Sequence, residues 1–157
     1  MTEQRDHLLK VLRNFSRAML TTRHQDGSIH TRPMVIAQLD DDGTAWLMAD
    51  DRSEKISEIE ADAHASLSFQ SRAEYATLSG EISLEHDREQ IRRLFQEPWK
   101  TYFPHGPEDP HIVLLKLSAR LGEFWDNAGI AGIRYVWEAA SAYVKGERPH
   151  HDDQVHA

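Results

Sequence analysis

The chain has 157 residues, enough for one core of ordinary size. Its formal net charge of -8 argues against a nucleic-acid groove, which needs clustered Lys and Arg. It contains no Cys, so disulfides, thiolate catalysis and Cys-based zinc sites are excluded. Met1 to Lys10 is polar and charged, and no stretch approaches the length of a membrane span, so a cytoplasmic protein is expected.

Leu8, Val11, Leu12 and Phe15 recur at helical spacing, which predicts an amphipathic helix over Glu3 to Phe15. Ala18 to Thr22 reads as a short strand, and Gln25-Asp26-Gly27-Ser28 as a turn. Ile29 to Leu39 has strand character but contains Pro33, which has no N–H for a ladder. It is therefore expected at an edge or a bulge. A second turn at Asp40 to Gly43 leads into a returning strand, Thr44 to Met48. Ser53 then opens a helix over Glu54 to Ala61, with Ile56 and Ile59 facing inward.

Ala65 to Phe69 and Tyr75 to Leu84 read as a hairpin around Ser71-Arg72-Ala73, and His86 to Phe95 as a helix. Glu97 to Pro110 carries four prolines and reads as a loop. Its Trp99, Tyr102 and Phe103 are too apolar for an idle surface segment. Ile112 to Leu117 and Leu121 to Trp125 are the last expected strands, Ile133 to Lys145 is expected to close the chain as a helix, and His150 to Ala157 as a frayed tail. Residues 1–149 are expected to form one domain. Short antiparallel strands with a few helices suggest a compact mainly-β or α+β barrel.

Three residues point to a phosphate. Ser53 stands where a helix N-terminus offers unpaired N–H donors and the positive end of a dipole. Lys55 lies in the first turn of that helix, where a cation is unfavourable without an anion nearby. If the hairpin folds about Asp41–Asp42, Arg32 faces Asp51 and Met34 faces Ala49, which brings Arg32 towards Ser53 and Lys55. From spacing alone, Ser53 as a plain N-cap, Lys55 as a surface charge and Arg32 paired with Asp51 remain open.

An ordered set of motifs runs through the chain. It comprises Thr31-Arg32-Pro33-Met34, Ser53-Glu54-Lys55-Ile56, Leu78-Ser79-Gly80, then Trp99, Phe103-Pro104-His105-Gly106 and Asp109-Pro110, and finally Phe124-Trp125-Asp126. The set resembles the general stress protein group of the pyridoxamine 5'-phosphate oxidase-like FMN-binding split barrels. The resemblance implies a split β-barrel with flanking helices. It also implies a homodimer with two flavin sites at its seam, FMN as cofactor, and flavin-dependent oxidoreductase chemistry.

By that resemblance, Arg32, Ser53 and Lys55 hold the FMN phosphate. Met34 and Val35 present backbone to the ring, with Pro33 beside them in the cofactor site, and Met48 and Ala49 line it from the facing strand. Tyr75 stands where related oxidases place a ring-contacting glutamine. Trp125 stands where they place a tryptophan from the partner subunit, and Arg134 is a looser match to a later arginine. A non-catalytic flavin-binding or storage protein, and a barrel using FAD or a deazaflavin, remain alternatives. The arginine–histidine pair that grips pyridoxamine phosphate has no counterpart in Asp126 to Ile133, which argues against that substrate. Glu54 replaces an expected basic residue between Ser53 and Lys55, with Arg52 as a possible compensation, and the hydroxyl expected near Ala49 is missing.

Other chemistry is weakly signalled. His105, Glu108, Asp109 and His111 lack fixed spacing for a metal and read as solvated loop residues, so no metal site is expected. There is no Gly-rich dinucleotide loop, nucleophile elbow or P-loop. The last apolar strand, Ile112 to Leu117, is the candidate interface surface for a dimer.

Overall fold

A computed structural model describes residues 2–125 and 131–137. The elements, in chain order, are α1 (Thr2–Leu12), β1 (Arg17–Arg23), β2 (Ile29–Leu39), β3 (Thr44–Asp50), α2 (Glu54–Ala61), β4 (His64–Gln70) and β5 (Tyr75–Glu85). They continue with α3 (Arg88–Leu94), two short 3-10 turns (Glu97–Thr101 and Gly106–Glu108), β6 (Ile112–Trp125) and β7 (Ala131–Val136). Among the described residues, no helix is long and apolar enough to cross a membrane.

The strands form one antiparallel sheet in the order β3-β2-β1-β4-β5-β6-β7, and pairing of β3 with β6 closes six of them into a barrel. The split-barrel expectation is therefore met. β7 lies outside the closed ring, on β6. The reversals after β1 and β2 place Gly27 and Gly43 at φ 88° and 84°, a left-handed backbone that other residues adopt at a cost.

Burial follows the strand period. β1 and β4 alternate buried and exposed residues, sending Ala18, Leu20, Thr22, Ala65, Leu67 and Phe69 inward. β3 is different: Thr44 to Ala49 are all buried. Its inward residues join the barrel core, while Trp46 and Met48 join a second cluster with Ile91, Leu94, Trp99, Phe103, Ile112 and Leu114. α3 and the first 3-10 turn thus cover the outside of β3 and β6. A strand with both faces buried loses the alternation that makes strands legible in sequence. α1 packs against β6 and β7, with Leu8, Leu9 and Leu12 at most 1 % exposed. Each such leucine contributes about 1.5–3 kcal/mol through burial.

Three sequence expectations are corrected. Ile112–Trp125 is one strand rather than two, because a bulge at Arg120 lets the ladder with β5 continue past a one-residue slip between Ser79 and Gly80. The expected closing helix from Ile133 begins instead as strand β7, with Phe124 paired to Ile133 and Leu121 to Val136; residues 138–145 of that call, and the tail, lie outside the described residues. Ile112 to Leu117 is not a free interface surface: Ile112, Val113, Leu114, Leu115 and Leu117 are 0–2 % exposed within one chain. Both faces of β6 are already used there, one by the barrel core and one by α3 and the 3-10 turn.

Gly80 marks the bulge between β5 and β6. A Cβ built there would lie 2.0 Å from the Ser118 carbonyl oxygen, a backbone atom that cannot swing aside. Gly80→Ala should therefore destabilise the fold by about 1–3 kcal/mol or more, the range for forced overpacking. Urea unfolding measures it, and an unchanged midpoint would show that the bulge relaxes freely.

Candidate functional site

The hairpin of β2 and β3 determines where a site can form. Ile36 pairs with Leu47, in the expected register, and a bulge shifts the ladder by one residue before Gln38 pairs with Trp46. Beyond Ile36 the two strands part. β2 continues on β1, with Val35 opposite Arg17 and Pro33 opposite Met19, while β3 runs its full length on β6. Pro33 thus sits on a strand edge facing the parting, as its missing N–H requires.

A cleft of about 390 Å³ opens where the strands separate. Pro33, Met34 and Val35 line it from β2, and Met48, Ala49 and Asp50 from β3. Trp99, Tyr102 and Phe103 of the proline-rich segment close one side, and Arg17 and Lys55 supply cations. That volume is within the range of small-molecule sites, about 300–1,000 Å³, and the mostly apolar wall with a few polar groups is their usual make-up. Trp99 and Phe103 also belong to the second core cluster, so the segment both plugs the barrel and shapes the cleft. Tyr102 remains 56 % exposed at the rim, its hydroxyl 3.4 Å from Arg17 Nη2.

The parting of β2 and β3 changes the fate of Arg32. It does not reach Asp51, whose carboxylate lies 3.1 Å from His111 Nδ1 and whose N–H donates to the His111 carbonyl. Arg32 instead turns towards α2. Its Nη2 donates to Glu58 Oε2 at 2.9 Å and its Nη1 to Thr22 Oγ1 at 2.6 Å. Thr22 Oγ1 also donates to Glu58 Oε2, at 2.6 Å. Glu58 is 3 % exposed, and the hydrogen bond from Thr22, followed by those from Arg32 and His30, holds its carboxyl at about 2, well below the usual 4.5.

Ser53 caps α2 in position but not by its side chain. Its Oγ donates to the Asp50 carbonyl at 2.7 Å and accepts from Lys55 Nζ at 3.2 Å. Lys55 is half-buried and forms no ion pair among the described residues. Burial pushes its ammonium pKa down, the Arg32 charge adds to that, and Asp50 opposes it. Asp50 itself is committed to Arg52, with hydrogen bonds of 3.0 and 2.7 Å, and is held at about 2 mainly by that contact. Arg52 therefore serves Asp50 rather than offsetting Glu54, which is exposed.

The structure thus gathers Pro33, Met34, Val35, Met48, Ala49 and Lys55 around one cleft, with Ser53 bonded to Lys55 and Arg32 near enough for its charge to act on Lys55. It does not bring Tyr75 or Trp125 there. They face each other across β5 and β6, outside the cleft of their own chain. Arg134 is exposed on β7, opposite Glu123. The loop residues considered for a metal do not assemble: Glu108 pairs with Arg92, His105 is exposed, and His111 is drawn to Asp51. Sequence reasoning missed Arg17, Thr22 and Glu58. Glu58 was detectable in principle, because it lies three residues after Lys55 and beside inward-facing Ile59 on α2.

Comparison with known proteins places these features in context. The family model described as "Pyridoxamine 5'-phosphate oxidase like" matches residues 3–150. The chain belongs to that family. Its fold is similar to a protein related to general stress protein 26 from Clostridium acetobutylicum, with a TM-score of 0.75 and 18 % identity over 87 % of this chain and 96 % of that one. It is also similar to a pyridoxamine 5'-phosphate oxidase-related, FMN-binding protein of Nostoc punctiforme. That match has a TM-score of 0.58 and 17 % identity over 82 % of this chain and 84 % of that one. The Neurospora crassa protein bli-3 is 27 % identical over 113 residues, 64 % of this chain and 54 % of that protein, so the match spans about half of this curated relative.

The depressed carboxyl of Glu58 has a consequence for acid stability. A carboxylate held at about 2 when folded and near 4.5 when unfolded stabilises the fold above 4.5 and loses that contribution as the pH falls towards 2. Asp50 titrates in the same direction and supplies part of the slope. Glu58→Gln should lower stability at neutral pH and make it fall less steeply between about pH 4.5 and about pH 2. Urea midpoints across that window test this, and parallel curves for parent and variant would refute it.

Proposed function

We propose that the chain binds a flavin nucleotide, FMN, in the cleft between β2 and β3, and works as a flavin-dependent oxidoreductase. The observation that carries the reading is Lys55. A half-buried ammonium with no carboxylate partner among the described residues, beside a second cation and at the wall of an apolar slot, fits an anionic group on an otherwise flat, apolar ligand. Family membership and the FMN-binding Nostoc protein support the same ligand.

Lys55, Ser53 and the first N–H groups of α2 would hold the phosphate, with Arg32 contributing from its seat on Glu58. Both bonds that Arg32 makes to side chains use its terminal nitrogens, so Nε keeps a donor. Pro33, Met34, Val35, Met48 and Ala49 would form the ring slot, and Trp99 and Phe103 would exclude water from one side. Bound flavin supplies hydride or electron transfer, and the protein supplies binding, orientation and electrostatics. No side chain is assigned as acid or base.

The reading includes a homodimer. Tyr75 and Trp125 have a role at the flavin only if a second copy brings them to the cleft of the first. The outer face of β1, the start of β2, β4, β5 and the C-terminal half of β6 offers a surface for this, with Met19 39 % and Ile29 68 % exposed. Sedimentation equilibrium should give twice the 18.1 kDa chain mass. A monomer that binds FMN would overturn the dimer.

Charge-assisted hydrogen bonds are each worth about 1.5–3 kcal/mol. Arg32→Ala and Lys55→Ala should therefore weaken FMN by about tenfold to a hundredfold. Riboflavin, which lacks the phosphate, should bind almost unchanged. Parallel titrations with both ligands decide it. Equal losses for both would mean the residues act through folding, and no loss for FMN would place its phosphate elsewhere.

A further inference from the structure

Outside the cleft, the turn after β1, the start of β2 and the middle of α2 bring together a second group of side chains. His24, His30 and Glu58 each offer one ligand atom, and these atoms lie within 4.8 Å of one another. His30 Nδ1 is 2.6 Å from Glu58 Oε1, and His24 Nδ1 is 3.6 Å from the same oxygen. The two imidazoles stack, with centroids 5.5 Å apart and planes 25° from parallel, so both present a nitrogen to one carboxylate.

The two distances to Glu58 bracket what one ion needs. Bonds of about 2.0–2.1 Å in a tetrahedral zinc site leave its ligand atoms roughly 3.3 Å apart. His24, at 3.6 Å, has to close by only about 0.3 Å. His30, now close enough to share a proton with Glu58, has to open by less than about 1 Å, a small rotation for a half-exposed ring.

The two oxygens of Glu58 have different surroundings. Oε2 accepts from Thr22 and Arg32, which fixes the carboxylate plane, while Oε1 faces the two histidines. Hydrogen bonds that orient a ligating carboxylate through its other oxygen are the usual outer sphere of a built metal site. Glu58 is 3 % exposed, whereas the side chains of His24 and His30 are 44 % and 46 % exposed. The group is closed below by the protein and open above to water.

We propose that His24, His30 and Glu58 bind a divalent cation of the zinc class, with three protein ligands and a solvent-facing fourth position. Two imidazoles with one carboxylate suit zinc, cobalt or nickel and disfavour magnesium and calcium, which take oxygen ligands. Arg32 shares the charge of Glu58, so the ion binds less tightly than it would to a free carboxylate. The ion would tie the β1–β2 turn to α2, the helix that carries Lys55. None of the three ligands lines the cleft, and the site touches the flavin reading only through Arg32, which is seated on Glu58.

The test is titration of the metal-stripped 157-residue chain with cobalt(II), followed by visible absorption, and with zinc(II), followed by calorimetry. Imidazoles at positions 150, 151 and 156 could compete for the metal, so the parent for all variants carries His150→Gln, His151→Gln and His156→Gln. One equivalent should bind this parent. His24→Gln and His30→Gln should each weaken it by at least the about tenfold to hundredfold typical of outer-sphere losses. His111→Gln, which alters the other group of potential ligands at Asp50 and Asp51, should leave it unchanged. Circular dichroism verifies that each variant is folded, and glutamine at position 30 can still donate to Glu58. Failure of the tail-substituted parent to bind one equivalent, or unchanged affinity in folded His30→Gln, would overturn the proposal.

Discussion

The competition of β2 and β3 for partners shapes the candidate site. Each strand has two edges, and between Ile36 and Leu47 they share one. Beyond that point β2 stays with β1 and β3 stays with β6. Pro33 cannot donate to a further ladder, so the gap stays open on its side. A fully zipped hairpin would bury Met34 and Ala49 against each other and leave no slot. The parting turns two adjacent strands into the two walls of a cleft.

The same parting relocates charge. Freed from β3, Arg32 meets α2 and is held by Glu58 and Thr22. Glu58 is buried and would be costly alone, but two hydrogen bonds on one oxygen and an imidazole on the other satisfy it. Lys55, one turn earlier on the helix, is left without such a partner. One helix therefore carries an ion-paired charge facing β1 and β2 and, facing the cleft, an ammonium bonded only to the Ser53 hydroxyl among the described residues. That asymmetry is what the proposed anion seat rests on.

The second core cluster links these features to the rest of the barrel. Covering the outside of β3 and β6 with Trp99, Phe103, Ile91 and Leu94 buries both faces of those strands. The same aromatic residues then form the side wall of the cleft. Stability and site shape thus share the side chains of Trp99 and Phe103.

The sequence by itself determined a good deal. Helical spacing placed α2, turn residues at Gly27 and Gly43 placed two reversals, and Pro33 marked a strand edge. The resemblance gave the family and, among the residues that line the cleft, Pro33, Met34, Val35, Met48, Ala49 and Lys55, but not Arg17 or Asp50. These are local signals, set by the backbone preferences of a few neighbouring residues. Tertiary structure alone decided the rest. Ile112–Trp125 became one strand and Ala131–Val136 another because β5 and β6 offered ladders that local preference could not reveal. Between Ile112 and Leu117, β6 is buried on one face by the barrel core and on the other by α3 and the 3-10 turn, which removed that stretch as an interface. Whether Arg32 met Asp51 or Glu58 depended on where two strands ceased to pair. That is a balance between competing long-range partners, and no spacing along the chain encodes it.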